Sequence, residues 1–184
     1  MAFQSYPDYK EILRQPGFLF WGATDLSNEA GWGTKLGFCV GGIKFDPGYK
    51  VINLYGMEHG EEPEKRIFLG CEPVLKASLR NYNATALSVL FPGLASGAAV
   101  KYPNTLKPGM DIASSHGNYL LFVPEDQANN KVLLLQKAVP NIVAAFEFSR
   151  QNDTVFQAVF VGFRKTDDAD GVYYFGDLSG AVLR

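Results

Sequence analysis

The sequence predicts a mainly β protein: an antiparallel β-sandwich or partial barrel with one short flanking α-helix at about residues 83–91. Three observations carry this. Phe and Tyr occur 14 and 9 times in 184 residues, and aromatic side chains favour pleated, half-buried surfaces. Apolar runs recur along the chain with turn formers between them. Those turns are too short for the crossover that parallel neighbours need, so successive strands should pair antiparallel.

In chain order, strands are expected at 17–23, 36–46, 49–55, 66–80, 98–102, 118–123, 131–139, 143–150, 154–164 and 172–178. They are divided by Asp46-Pro47-Gly48, Pro92-Gly93, Pro108-Gly109, Pro124-Glu125-Asp126, Gln151-Asn152-Asp153 and the run 167–171. The helix is placed by Asn83, a competent N-cap, by the apolar face of Ala84 to Leu90, and by the Pro92-Gly93 stop. A weaker helical turn fits residues 9–13. No repeat or linker divides the chain. Residues 1–184 therefore read as one β-sandwich domain with an N-terminal arm (1–16) and a protruding loop at about 45–66.

Several strands lack the alternation of a half-buried strand. In TVFQAVFVGFRK one face carries Val155, Val159, Val161 and Phe163, and the other Phe156, Ala158 and Phe160. KVLLLQKAV and HGNYLLFVP behave alike. A sandwich covers one face of each sheet, so the second face must meet a helix, a loop or another subunit. Oligomerisation is the preferred expectation, because uncovered apolar sheets invite aggregation.

Hydrophobic residues at 47% against 20% charged leave ample material for a core. The formal charge of −2 comes without a basic stripe, which argues against a dedicated nucleic-acid binder. Cys39 and Cys71 are far apart and sit in apolar runs. They read as buried thiols of a reducing compartment rather than a disulfide or zinc set. The opening MAFQSYPDYKEIL has no basic-then-apolar pattern of a secretion leader, so the Asn-x-Thr triplets at Asn83 and Asn152 carry no glycosylation meaning. No apolar run is long enough to span a bilayer.

The segment GWGTKLGFCVGG has five glycines in twelve positions. Gly31, Gly33 and Gly37 miss the dinucleotide spacing, and Gly33-Thr34-Lys35 scrambles a P-loop. A turn feeding a strand remains, with Gly41-Gly42 permitting a bulge. The histidines, His59 and His116, fall in polar loops without a metal-ligand pattern. Ser114, His116 and Asp111 lie too close in sequence to converge as a hydrolytic triad. A calcium loop at 166–171, with Asp177 downstream, starts on Thr166 and is flanked by strands, so a hairpin turn explains it better. The run EHGEEPEKR offers Glu61 and Glu62 as adjacent carboxylates, but adjacent exposed acids are ordinarily solvated. The preferred reading of Glu58, His59, Glu61, Glu62, Lys65 and Arg66 is a protruding segment that touches a neighbouring subunit. No catalytic, cofactor-binding or metal-binding residue is assigned.

The order of segments carries a resemblance. GFLFWGATDL, LGFCVGGIKF, VLKASLRNYNATALSVLFPG, YLLFVPEDQANNKVLLLQKAVPN, FEFSRQNDTVFQAVFVGF and GVYYFGDL together resemble the tail tube (major tail) proteins of long-tailed bacteriophages, related in fold to the tube protein of type VI secretion. The resemblance implies a structural virion protein without enzymatic activity or cofactor, assembled in the host cytoplasm. Hexameric rings would join their inner sheets into a continuous barrel and stack into a tube that conducts DNA during infection. Implied partners are copies of the chain, the tape measure, tail terminator and baseplate proteins, and DNA passing the lumen without specific binding; no membrane is implied. The family's loop to the next ring corresponds to 45–66, with the termini 1–16 and 181–184 acting likewise. Gly41 and Gly42 would let the strand bend where subunits meet. The alternatives are another tail or baseplate component of this fold, or a carbohydrate-binding β-sandwich using Trp21, Trp32 and the tyrosines as stacking platforms. A β-barrel hydrolase comes third.

Overall fold

Where apolar and polar residues alternate, the chain forms strands whose apolar side turns inward. The computed structural model describes residues 15–55, 63–80, 84–90, 111–127, 131–141, 156–165 and 171–183. Among these residues the strands are β1 (Gly17–Trp21), β2 (Thr34–Asp46), β3 (Tyr49–Tyr55), β4 (Pro63–Cys71), β5 (Val74–Arg80), β6 (Asn118–Pro124), β7 (Val132–Asn141), β8 (Phe156–Gly162) and β9 (Tyr173–Gly176). Every pairing is antiparallel. The main sheet runs β6-β1-β2-β5-β8-β7-β9, and β6 also pairs with β7. That second pairing closes six strands into a ring, the barrel end of the expected sandwich-to-barrel range. β3 and β4 form a separate two-stranded sheet.

The barrel interior is filled by side chains. In β5, Leu75, Ala77 and Leu79 are buried and Lys76 is exposed; in β8, Phe156, Ala158 and Phe160 are buried and Gln157 is exposed. Leu19, Leu36, Cys39, Leu120, Phe122, Leu133 and Leu135 complete this cluster. The predicted helix is present as α1 (Ala84–Leu90), while its expected cap, Asn83, lies outside the described residues. Seven residues are too few for a helix to stand alone. It is held because Ala86 and Leu90 join the interior cluster. α1 packs against β2 and β7, which lie on opposite sides of the ring, so it lies across one mouth of the barrel.

β1, β6 and β7 are apolar on both faces, and the chain itself supplies the second cover. Phe20, Leu121, Val123, Val132 and Leu134 point outward into a second cluster with Ala23, Leu26, Trp32 and Ala181. The cover is the 22–32 loop, closed by a 3-10 turn at Glu29–Gly31, and the C-terminal segment after β9. Gln136, the sole buried polar side chain among the described residues, donates from Nε2 to the Val182 carbonyl at 3.0 Å and pins that segment to β7. Of the three covers expected for a two-faced strand, a helix, a loop or another subunit, β1, β6 and β7 meet loop segments of their own chain.

Two further expectations change. The run 66–80 is not one strand: β4 ends at Cys71 and β5 starts at Val74 in a different sheet. Pro73 lies between them and cannot donate to a ladder. The loop around Ser114 and His116 holds a short helix, α2 (Ile112–His116), capped by Asp111. The strands expected at 98–102 and 143–150 and the turn at 9–13 lie outside the described residues.

The two thiols separate sharply. Burial pushes the Cys39 thiol up to about 12, whereas Cys71 is half-buried and is raised, also by burial. Because the thiolate is the reactive form, a thiol reagent at pH 8 should modify one cysteine of the native protein. Cys71→Ser should abolish that reaction until denaturant is added. Equal rates at both sulfurs, read by mass spectrometry, would contradict the placement of Cys39.

Candidate assembly surface

The β3–β4 hairpin leaves the barrel through a tight junction. The Asp46 Oδ1 accepts from the Gly48 amide at 2.9 Å, and the Glu72 amide donates to the Gly48 carbonyl at 3.1 Å. Gly48 has φ +58°, and a Cβ there would lie 2.1 Å from the Glu72 carbonyl oxygen. The return strand is anchored where the Gly162 amide donates to the Pro73 carbonyl at 2.7 Å. Lys50 pairs with Glu72 at 2.5 Å, with both side chains more than half exposed, so the pair is worth at most about 1 kcal/mol. The hydroxyls of Tyr49 and Tyr173 meet, and the Tyr173 ring packs edge-on against Phe45 with centroids 4.9 Å apart. These contacts tie the arm's base to β9.

Beyond its base the arm exposes apolar side chains on both faces. Val51 stands opposite Phe68, and Ile52 opposite Ile67, which puts the two pairs on opposite faces. Tyr49, Val51, Ile52, Leu54, Tyr55, Ile67, Phe68 and Leu69 are all exposed, Leu69 by 64%. A two-stranded hairpin is marginal in water by itself, and its open edges are templates for further pairing. Covering one large apolar side chain is worth up to roughly 1.5–3 kcal/mol. Covering several would rival the whole stability of a domain, about 5–15 kcal/mol.

The expected interface residues divide three ways. Glu58, His59, Glu61 and Glu62 lie outside the described residues. Lys65 and Arg66 are exposed on β4, opposite Leu54 and Asn53. Gly41 and Gly42 sit within β2, where its pairing with β5 shifts register between Cys39 and Ile43; their φ values are +73° and +84°. Within the segment expected to protrude, about 45–66, the described residues of β3 (Tyr49–Tyr55) and β4 (from Pro63) are paired strands, and residues 56–62 lie outside the described residues. The charged run EHGEEPEKR reads as a break between strands, yet its last residues, Pro63 to Arg66, begin β4 and pair with Asn53 to Tyr55.

Elsewhere the polar clusters have local explanations. Asp111 caps α2, accepting from the Ser114 amide at 3.1 Å and from the Ser114 hydroxyl. Those bonds, the hydroxyl's first, hold its carboxyl below the usual carboxylate range. Asp111 and Ser114 thus do meet, as a cap, while the His116 Nδ1 pairs with the Ser115 hydroxyl at 2.7 Å. Asp177 accepts from Lys131 at 2.6 Å, and the 166–170 part of the considered calcium loop lies outside the described residues. No group of three or more metal-capable side chains occurs among the described residues, and no helix there is long and apolar enough to cross a membrane. Trp32 is buried edge-on against Phe20 and donates to the Leu26 carbonyl; Trp21 is half-buried against Phe160. Trp32 therefore offers no open face for sugar stacking.

The glycine positions give a graded test. A Cβ on Gly41 meets nothing within 4 Å, so Gly41→Ala carries backbone strain alone, about 1–2 kcal/mol. Gly48→Ala adds a backbone clash to the same strain and should lower the urea midpoint at least twice as far, with an unchanged slope.

No protein-family model matches the chain, and no curated protein matches it in sequence. Among solved structures, the chain is similar to the sheath/tube terminator of PVC, an extracellular contractile injection system in its extended state. The TM-score is 0.43 at 12% identity, over 89% of this chain and 96% of that one. It is also similar to an Hcp protein, with a TM-score of 0.37 at 11% identity, over 89% and 99% of the two chains. At these values the correspondence is loose.

Proposed function

We propose that the chain is a non-catalytic structural subunit of a phage-type tail tube, whose copies join through the β3–β4 arm. The observation that carries this is the contrast between arm and barrel. The chain covers the outer faces of β1, β6 and β7, yet the arm holds apolar side chains out on both faces. A hairpin tied at its base but left uncovered is built to be completed by another molecule. Sequence resemblance to tail tube proteins makes that molecule a further copy, with hexameric rings stacking into a conduit for DNA. Glu58, His59, Glu61, Glu62, Lys65 and Arg66 belong to that contact in this reading, and Gly41 and Gly42 shape β2 where copies meet. Tape measure, tail terminator and baseplate proteins are the further partners.

Purified chain, followed by sedimentation across concentration and by negative-stain imaging, should show rings or tubes. Phe68→Glu with Leu69→Ser should abolish them. These residues are already exposed, so the thermal midpoint of the monomer should hardly move. A wild-type chain that stays monomeric at every concentration sinks the proposal.

A further inference from the structure

The loop after β1 and the segment after β9, which cover the outer faces of β1, β6 and β7, leave an open groove between them. Its volume is about 760 Å³, and Leu26, Leu178, Ala181, Val182 and Leu183 make it apolar, with Asp25 at one wall. Leu26 and Ala181 belong to the buried cluster beneath, and Leu178 and Leu183 pack against it. Val182 is 50% exposed, one of two large apolar side chains exposed outside the arm among the described residues. Its carbonyl accepts from the Gln136 Nε2 at 3.0 Å, so the wall that carries it is tied to β7. The charge there is negative: Asp25 and Glu29 are exposed on the 22–32 loop, which has no lysine or arginine. The Asp25 carboxylate accepts from the Ser27 amide and hydroxyl and from the Asn28 side chain. Those bonds, the Ser27 amide's first, keep it below the usual carboxylate range without supplying a cation.

The arm carries the complement. Ile52 stands opposite Ile67 and Leu54 opposite Lys65 in an unshifted stretch of the β3–β4 ladder, so these four side chains share one face. All four are exposed, and Lys65 has no ion-pair or hydrogen-bond partner among the described residues, unlike Lys50, which Glu72 holds. An apolar strip ending in an unpaired cation thus answers an apolar groove walled by an unneutralised carboxylate. The two lie on opposite sides of one molecule. In the ring β6-β1-β2-β5-β8-β7, the strands β2 and β5 that launch the arm stand opposite β7 and β6, which lie beneath the groove. We infer that this groove is the acceptor, on a second copy of this chain, for the arm face formed by Ile52, Leu54, Lys65 and Ile67. The contact joins two different patches and is therefore heterologous, the kind that propagates into rings or filaments rather than stopping at a dimer. It rests on the assembly reading above and adds to it where the arm lands.

Substitutions in the groove and on the arm test this without touching the barrel. Val182→Lys changes an exposed side chain, so the thermal midpoint of the monomer should hardly move. Self-association should nevertheless weaken at least about tenfold, because the new ammonium enters an apolar contact and faces Lys65. Lys65→Glu should weaken it similarly by facing Asp25, and combining it with Val182→Lys should restore association. Asp25→Asn, which keeps an oxygen for the Ser27 amide, should weaken association and flatten its salt dependence. If Val182→Lys assembles like wild type, the groove has another occupant or none, and the inference is overturned while the arm-mediated assembly stands. A combined variant without rescue overturns it as well. If the wild type never associates, both fall.

Discussion

The structure depends on the pairing of β6 with strands on both its edges. Phe18 to Trp21 run alongside β6 on one side and Leu133 to Leu135 on the other, and this makes the sheet a ring. Closure removes edges from the six strands and divides every one of them into an inside and an outside. It also demands a close approach: a Cβ on Gly17 would lie 2.5 Å from the Val123 carbonyl oxygen, so glycine is what lets β1 and β6 meet. Along β2 the accommodation is a register shift at Gly41 and Gly42, in left-handed backbone that other residues enter only with strain.

From closure follow two cores rather than one. Side chains turned inward meet across the ring, and those turned outward on β1, β6 and β7 need a second cover. The chain makes it from the loop after β1 and the segment after β9, whose ends are stitched by the Trp32 indole to the Leu26 carbonyl and by Gln136 to Val182. The polar atoms buried there are mostly used as fasteners, as the cost of leaving them unpaired requires.

The arm is what closure leaves out. β2 and β5 belong to the ring, and the hairpin between them is expelled through a junction in which glycine, two prolines and a capping aspartate leave little freedom. That stiffness has a functional consequence. An arm held at a defined angle loses less conformational freedom on binding than a loose loop would. Its exposed Val, Ile, Leu, Phe and Tyr side chains would supply the apolar gain.

Composition and periodicity were sufficient for the class of fold, for most strands, for the helix at Ala84–Leu90 and for the glycine bulge. All of these are local consequences of side-chain shape and backbone freedom. The same patterns failed at Glu72-Pro73, where an apolar run continued through a strand break, and at Asp111 to His116, where a capped helical turn looks like any polar loop. They also could not say what covers β6 and β7. A side chain's preference for burial is written in the chain, but the surface that buries it is not. Only the tertiary structure decided that the outer faces of β1, β6 and β7 are covered and that the arm's apolar residues are not, because covering a face requires segments distant in sequence to arrive at it.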